Sequence, residues 1–354
     1  MREAGIKREV FAKLPGGREV ARFTLANQRG MDVDILTYGG IVTRLTAPDS
    51  QGRYADVVLG HRTLAEYLAN SQYFGCLIGR TANRIRNGRL LVDGVEYALG
   101  TDNGSHSLHG GVRGFDKVLW IDAAAEVTAA GPTLRLEYVS RDGEEGYPGR
   151  LSVSAVFTLT AEDSLRLDFT ATTDRPTVVN LTQHSYFNLS GAPDVLGHVV
   201  QIPAQRFTPT DQAQIPTGEL RSVSGSPFDF RRPTAIGERI DAADEQLRIG
   251  NGYDHNWVID KPLDELGLVA SVLEPVAGRR LEVLSTAPGL QFYSGNSLDG
   301  SLRGKQGRAY GFRAGFCLEP QGFPDAPNQA AFPSVLLRPG ESYRNTIIHR
   351  FSSR

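Results

Sequence analysis

Cysteine is scarce. The 354 residues hold two, Cys76 and Cys317, each inside an apolar run, YFGCLIG and AGFCLEP. That excludes a disulfide scaffold and any C-x-x-C metal or redox motif, and leaves two buried free thiols as the expectation. Long apolar runs are lacking as well. No stretch approaches the ~18 residues that span a membrane, and the charged start MREAGIKREVFAKLPGG has no hydrophobic segment of the signal-peptide kind. Nor is there an excess of either charge: 38 Lys and Arg stand against 40 Asp and Glu, net -2. No basic stripe offers itself to nucleic acid, and no acidic tail reads as a disordered arm. These absences point to a soluble, cytoplasmic protein that engages neither membrane nor nucleic acid. The N-x-S/T triplets at Asn103, Asn180 and Asn188 then carry no glycosylation meaning.

Helical periodicity is sparse too. RTLAEYLAN (62–70) and IGERIDAADEQL (236–247) are the candidates for helices. What is plentiful is alternation of period two. LRLEYV (134–139) puts Leu134, Leu136 and Tyr138 on one face. LSVSAVFTLT (151–160) aligns Leu151, Val153, Ala155, Phe157 and Leu159. LRLDFTATT (165–173) aligns Leu165, Leu167, Phe169 and Ala171 against Arg166, Asp168 and Thr170. Such segments are half-buried antiparallel strands. Asp93-Gly94 between LLV and VEYAL is a hairpin signal, and 161–164 (AEDS) is the expected turn between two of the strands. There is no βαβ alternation, fixed repeat or low-complexity linker. With strands running from about 20 to 350, residues 1–354 are expected to form one all-β domain, a large antiparallel β-sandwich.

The glycine-rich motifs fail on spacing. Between Gly300 and Gly304-Lys305 lie three residues where a phosphate loop has four, and Gln306 stands where Ser or Thr is required. His106 and His109 are three apart, which places them on opposite faces of a strand and argues against a shared metal. The informative clusters are polar ones set in apolar surroundings: NRI with Asn83 and Arg84, LHGG with His109, LTQHSYFNLSG with His184, YDHNW with Asp254 and His255, LQFYSGN with Gln291, and GFCLEPQ with Glu319. Taken singly each has a plain structural explanation, as a hydrogen-bonded core histidine, a surface arginine or a turn-capping aspartate. Glu319 resists that treatment, because a carboxylate after Gly-Phe-Cys-Leu is desolvated and needs a partner or a task. Together the imidazoles, carboxylates, guanidinium and amides are equipment for moving protons on a neutral polyhydroxylated ligand.

Those blocks, with YFGCLIGRTANRI, SLHGGVRGFDKVLW, DGEEGYPG, GFCLEPQGFPDAPNQ and LRPGESY, occur in an order that resembles the aldose 1-epimerase (galactose mutarotase) family over roughly residues 20–350. The resemblance implies a galactose mutarotase-like supersandwich with a sugar cleft. It implies interconversion of the α and β anomers of free aldoses such as galactose and glucose, without cofactor or metal. By motif, Glu319 resembles the general base and His184 the general acid, while Asn83, Arg84, His109, Asp254 and Gln291 resemble the residues that bind sugar hydroxyls. The chemistry suits them: burial makes a glutamate a stronger base, and a histidine near carboxylates is expected to hold its proton at neutral pH. The polar neighbours of His184 are expected to orient it. A monomer or homodimer is expected, with a small aldose as partner. Three alternatives stand beside this reading: a hexose-6-phosphate mutarotase using Arg80, Arg84 and Arg86 for the phosphate, a non-catalytic sugar-binding module, and a glycosidase with Asp254 and Glu319 as its carboxylate pair.

Overall fold

The computed structural model describes residues 3–69, 72–305 and 307–354. Its strand and helix shares are 44% and 8%, in line with the sparse 3.6-residue periodicity. Among the described residues the strands form a five-stranded, a nine-stranded and a six-stranded antiparallel sheet with several two-stranded ribbons. The five-stranded sheet is a meander running from Gly5–Lys13 through Glu19–Ala26, Asp32–Leu36 and Val42–Pro48 to Tyr54–Asp56.

The alternating segments build the centre of the nine-stranded sheet. Gly131–Ser140, Leu151–Leu159 and Ser164–Thr173 lie side by side, and the last of them pairs with the C-terminal strand Tyr343–Ser353. The register stacks Leu136 beside Ala155 beside Phe169, and Leu134 beside Phe157 beside Leu167. All six are buried, each large one contributing ~1.5–3 kcal/mol of hydrophobic stabilisation. Arg166 on the opposite face is exposed, as the alternation requires. One continuous core cluster draws residues from Ala21 to Phe351.

The DG hairpin forms as expected. Arg89–Val92 pairs with Val95–Ala98, and Asp93 and Gly94 turn with φ of 50° and 80°, the double left-handed geometry of a type I′ turn. Both cysteines are free and buried. The first expected helix covers Leu64–Ala69, with residue 70 outside the described set. The second is displaced. Residues Ile236–Glu238 make a single 3-10 turn, and the α-helix is Glu245–Gly250. Its start is fixed by Asp244, whose Oδ1 accepts hydrogen bonds from Gln246 N and Leu247 N. That N-cap satisfies two otherwise orphaned amides, which outweighs the apolar pattern upstream.

The six-stranded sheet carries the site. In its middle, Phe316–Gln321 pairs with Gly289–Tyr293, which pairs with Asp254–Val258. One face is oily: His255, Phe292 and Leu318 are in register and buried, with Trp257 and Leu290 beside them. Trp257 anchors an aromatic cluster with Phe228, Phe230 and Tyr253. Because side chains alternate across a strand, the other face must carry Glu319, Gln291, Asn256 and Asp254.

Candidate active site

Glu319, Gln291 and Asn256 are directly opposite one another across the three strands, and Asp254 is one pleat along from Asn256. Two ribbons bring the remaining groups over this face. In the first, Arg84–Ile85 pairs with Ser107–Leu108, Leu108 facing Arg84. Beyond its end, Asn83 and His109 hold each other twice. His109 N donates to the Asn83 carbonyl at 3.0 Å, and Asn83 N donates to His109 Nδ1 at 3.2 Å. Both residues have left-handed φ, 63° and 52°, a strained backbone of the kind concentrated at functional sites. Gly110 follows with φ of 98°; any Cβ there would run into the Gly79 carbonyl. In the second ribbon, Thr182–Gln183 pairs with Leu77–Ile78, and His184 N donates to the Cys76 carbonyl at 2.9 Å.

The result is a cleft of about 860 Å³, lined among others by Asn83, Arg84, His109, His184, Asp254, Gln291 and Glu319. All seven residues singled out in the sequence therefore converge, from segments spread over more than 230 positions. Glu319 is 2% exposed and His184 4%, and Glu319 Oε1 lies 3.6 Å from His184 Nε2.

The electrostatics differ from the expectation for His184. Burial raises the Glu319 carboxyl well above its usual range, the nearby Asp254 charge adds to this, and Arg84 opposes it. Burial also lowers His184, to about 4. The empty cleft thus disfavours charge on either partner, and the imidazole does not hold a proton by itself at neutral pH. Its polar neighbours do not orient the ring either. Gln183 Nε2 donates to the Gly75 carbonyl and to Ser185 Oγ, and Asn188 Nδ2 to the carbonyls of Ala192 and Ala314. These bonds shape the loop. The ring stacks on Tyr186 and Tyr73, at 5.2 Å and 5.7 Å between centroids, and meets His109 edge-on at 5.1 Å.

His109, His184 and Glu319 have ligand atoms within 4.8 Å of one another, the minimum geometry for a cation. The donor set fits one poorly. His109 Nδ1 accepts the Asn83 amide proton, so the neutral ring carries its own proton on Nε2 and offers no free lone pair. His106 is engaged elsewhere, its Nδ1 accepting from Asn87 N.

Three contributors escaped sequence reading. Tyr73 lines the cleft and packs against His109 at 4.6 Å; in SQYFGC it reads as core. Tyr293 also lines it, with its hydroxyl 2.7 Å from Ser297 Oγ. Gln214 bridges Arg84 and Asp254 from a loop, DQAQIP, that carries no motif.

A β-sandwich whose polar sheet face presents a buried carboxyl–imidazole pair beneath a ring of hydrogen-bonding side chains defines a class: acid–base enzymes acting on small neutral carbohydrates. The family model for aldose 1-epimerase matches residues 21–350, and the chain belongs to that family; it is an isomerase, an aldose 1-epimerase. It is 47% identical to galactose mutarotase of Homo sapiens over 352 residues, covering 99% of each chain. It is 46% identical to galactose mutarotase of Bos taurus over 350 residues, covering 98% of each. The crystal structure of galactose 1-epimerase from Lactobacillus acidophilus superposes with a TM-score of 0.87 at 25% identity, covering 99% of each chain. No helix among the described residues is long and apolar enough to cross a membrane.

Proposed function

We infer that this cleft interconverts the α and β anomers of free hexoses such as galactose and glucose, with Glu319 and His184 as the proton-transfer pair. The observation that carries the assignment is the 3.6 Å approach of two buried, oppositely competent groups at the floor of the cleft. In the forward half, Glu319 takes the proton of the C1 hydroxyl. The bond from C1 to the ring oxygen breaks, and the ring oxygen takes a proton from His184. Rotation about C1–C2 presents the other carbonyl face, and the same two transfers run backwards. The pair carries a single mobile proton throughout, so it begins as carboxylate with imidazolium and passes through carboxylic acid with neutral imidazole. The low-charge form is the one burial favours, so the open-chain stage matches the cleft's own preference. Arg84 favours the carboxylate needed at the start, and no covalent intermediate is involved.

Arg84, Asp254, Asn83, His109 and Gln291 bind sugar hydroxyls on this reading and fix which end meets the pair. The hexose phosphate alternative keeps only Arg84 of its three candidate cations. Arg80 is 1% exposed and spends its guanidinium on Ser140 and the carbonyls of Pro148, Gly149 and Arg141; Arg86 pairs with Asp211. The same reading makes the chain one continuous domain and a cytoplasmic enzyme, monomer or homodimer, working on a small sugar and not on nucleic acid. Polarimetry on freshly dissolved α-D-galactose and α-D-glucose, with and without enzyme, is the test. No acceleration of either would sink the assignment.

A further inference from the structure

Arg84 and Asp254 are close enough to attract and are not in direct contact. Arg84 Nη2 lies 3.8 Å from Asp254 Oδ2, with side chains only 10% and 14% exposed. An unobstructed charge-assisted pair closes to ~2.8 Å, and so little exposure leaves the attraction weakly screened. The carboxamide of Gln214 bridges the pair from one side and engages both partners. Arg84 Nη2 donates to Gln214 Oε1 at 2.6 Å, and Gln214 Nε2 donates to Asp254 Oδ2 at 3.1 Å. The other carboxylate oxygen accepts from Gln291 Nε2 at 2.7 Å.

The amide is held in place by its loop. Asp211 Oδ1 accepts from Ala213 N and Ile215 N, and Gln214 N donates to the Asp211 carbonyl at 2.8 Å. Asp211 Oδ2 accepts from Arg86 Nη2, and Thr210 N donates to Gln246 Oε1 on the helix Glu245–Gly250. Ile215, next to Gln214, is fully buried. Gln214 itself has a φ of 59°, a conformation an unanchored turn would avoid.

We propose that Gln214 is a positioning residue that keeps Arg84 and Asp254 from closing into a direct ion pair, and so keeps both available to sugar hydroxyls. This rests on the reading of Arg84 and Asp254 as sugar ligands. Without the spacer, the guanidinium and carboxylate satisfy each other, and a hydroxyl must break that pair to bind. The carboxamide fits the task because one end accepts and the other donates, matching a cation on one side and an anion on the other.

The test is steady-state mutarotation of galactose by Gln214→Met, which keeps length and loses the amide, alone and combined with Asp254→Asn. The expected result is a KM raised about tenfold, the scale of a lost hydrogen bond to a charged group, with kcat within about twofold. In the Asp254→Asn background, where no ion pair can close, Gln214→Met should add little. A merely structural loop defect would raise KM equally in both backgrounds, and that result would overturn the proposal. So would an unchanged KM for Gln214→Met, or a lowered one, which would show the amide competing with the sugar. An unchanged KM for Asp254→Asn alone would instead bring down the underlying ligand assignment.

Discussion

Glu319 and His184 turn one atom each toward the other at 3.6 Å, while their remaining polar atoms, Oε2 and Nδ1, find no hydrogen-bond partner among the described residues. Buried polar groups are rarely left this way in a finished core. Both side chains line the cleft, so the pair borders whatever binds there.

Substitution of the pair should therefore fall on turnover. Glu319→Gln keeps shape and removes the base, and kcat should drop ~10²–10⁴-fold. His184→Asn should behave alike, and the double variant should lose less than the product of the two losses, because both serve one proton transfer. Asp254→Asn should chiefly raise KM. Retention of most activity by Glu319→Gln, with sugar still bound, would transfer the base role to Asp254.

The pH profile should show one proton shared by the pair. Below about 4, where His184 also becomes protonated, no base remains. On the alkaline side activity falls only when Glu319 gives up its proton, well above the ordinary carboxylate range. kcat/KM should accordingly stay flat as pH falls through 6.5, after subtraction of spontaneous mutarotation. An acid limb centred near 6.5 would mean a solvated histidine and contradict the buried pair.

Chelation should change nothing. The clasp between Asn83 and His109 consumes the lone pair a metal would need, so exhaustive EDTA treatment should leave full mutarotase activity. Loss restored by one divalent ion would show that the clasp opens, and would make His109, His184 and Glu319 ligands.

Stability should decline on acidification. His198 and His349 are lowered to about 4 and His255 to about 3, each by burial. Depressed groups of this kind bind protons more readily when unfolded, where the pKa is about 6.5. Their contribution is complete above that value and is lost as pH falls from there toward 4. Burial lowers His61, His109 and His184 as well, while Glu319 and Asp116, raised, work in the opposite sense, two groups against six. Tm should thus fall between pH 6.5 and 4, and His349→Phe, packed on Phe187, should flatten the slope. A Tm independent of pH over that interval would count against these histidines being neutral in the fold.

The strands were legible because a period of two survives any tertiary context: Leu134, Phe157 and Leu167 had to share a face wherever the sheet went. The site was legible in its residue types, since Glu319 inside GFCLEP and His184 inside LTQHSYF are costly choices for a core. Two things were not. The true state of His184 depends on Tyr73 and Tyr186 closing over it, and Tyr73 is more than a hundred positions away. The function of Gln214 depends on a gap between Arg84 and Asp254, a distance that exists only once the six-stranded sheet, a ribbon and the loop of Gln214 have met. The helix at Glu245–Gly250 was misplaced for a local reason, a capping aspartate that the apolar pattern outvoted on paper.

The strands that hold Glu319, Gln291 and Asp254 on one face hold Leu318, Phe292 and Trp257 on the other. A slip of one residue anywhere in this trio would push amides and carboxylates into the aromatic core and turn phenyl rings into the cleft. Cohesion and chemistry are thus read from a single frame, as two messages in overlapping code. Length changes in these strands are closed to adaptation, because a chain that shifts the frame unfolds before it can offer a new cleft. A new sugar preference has to come from changes that leave the frame alone, by substitution on the polar face or through the ribbons and the loop that carries Gln214.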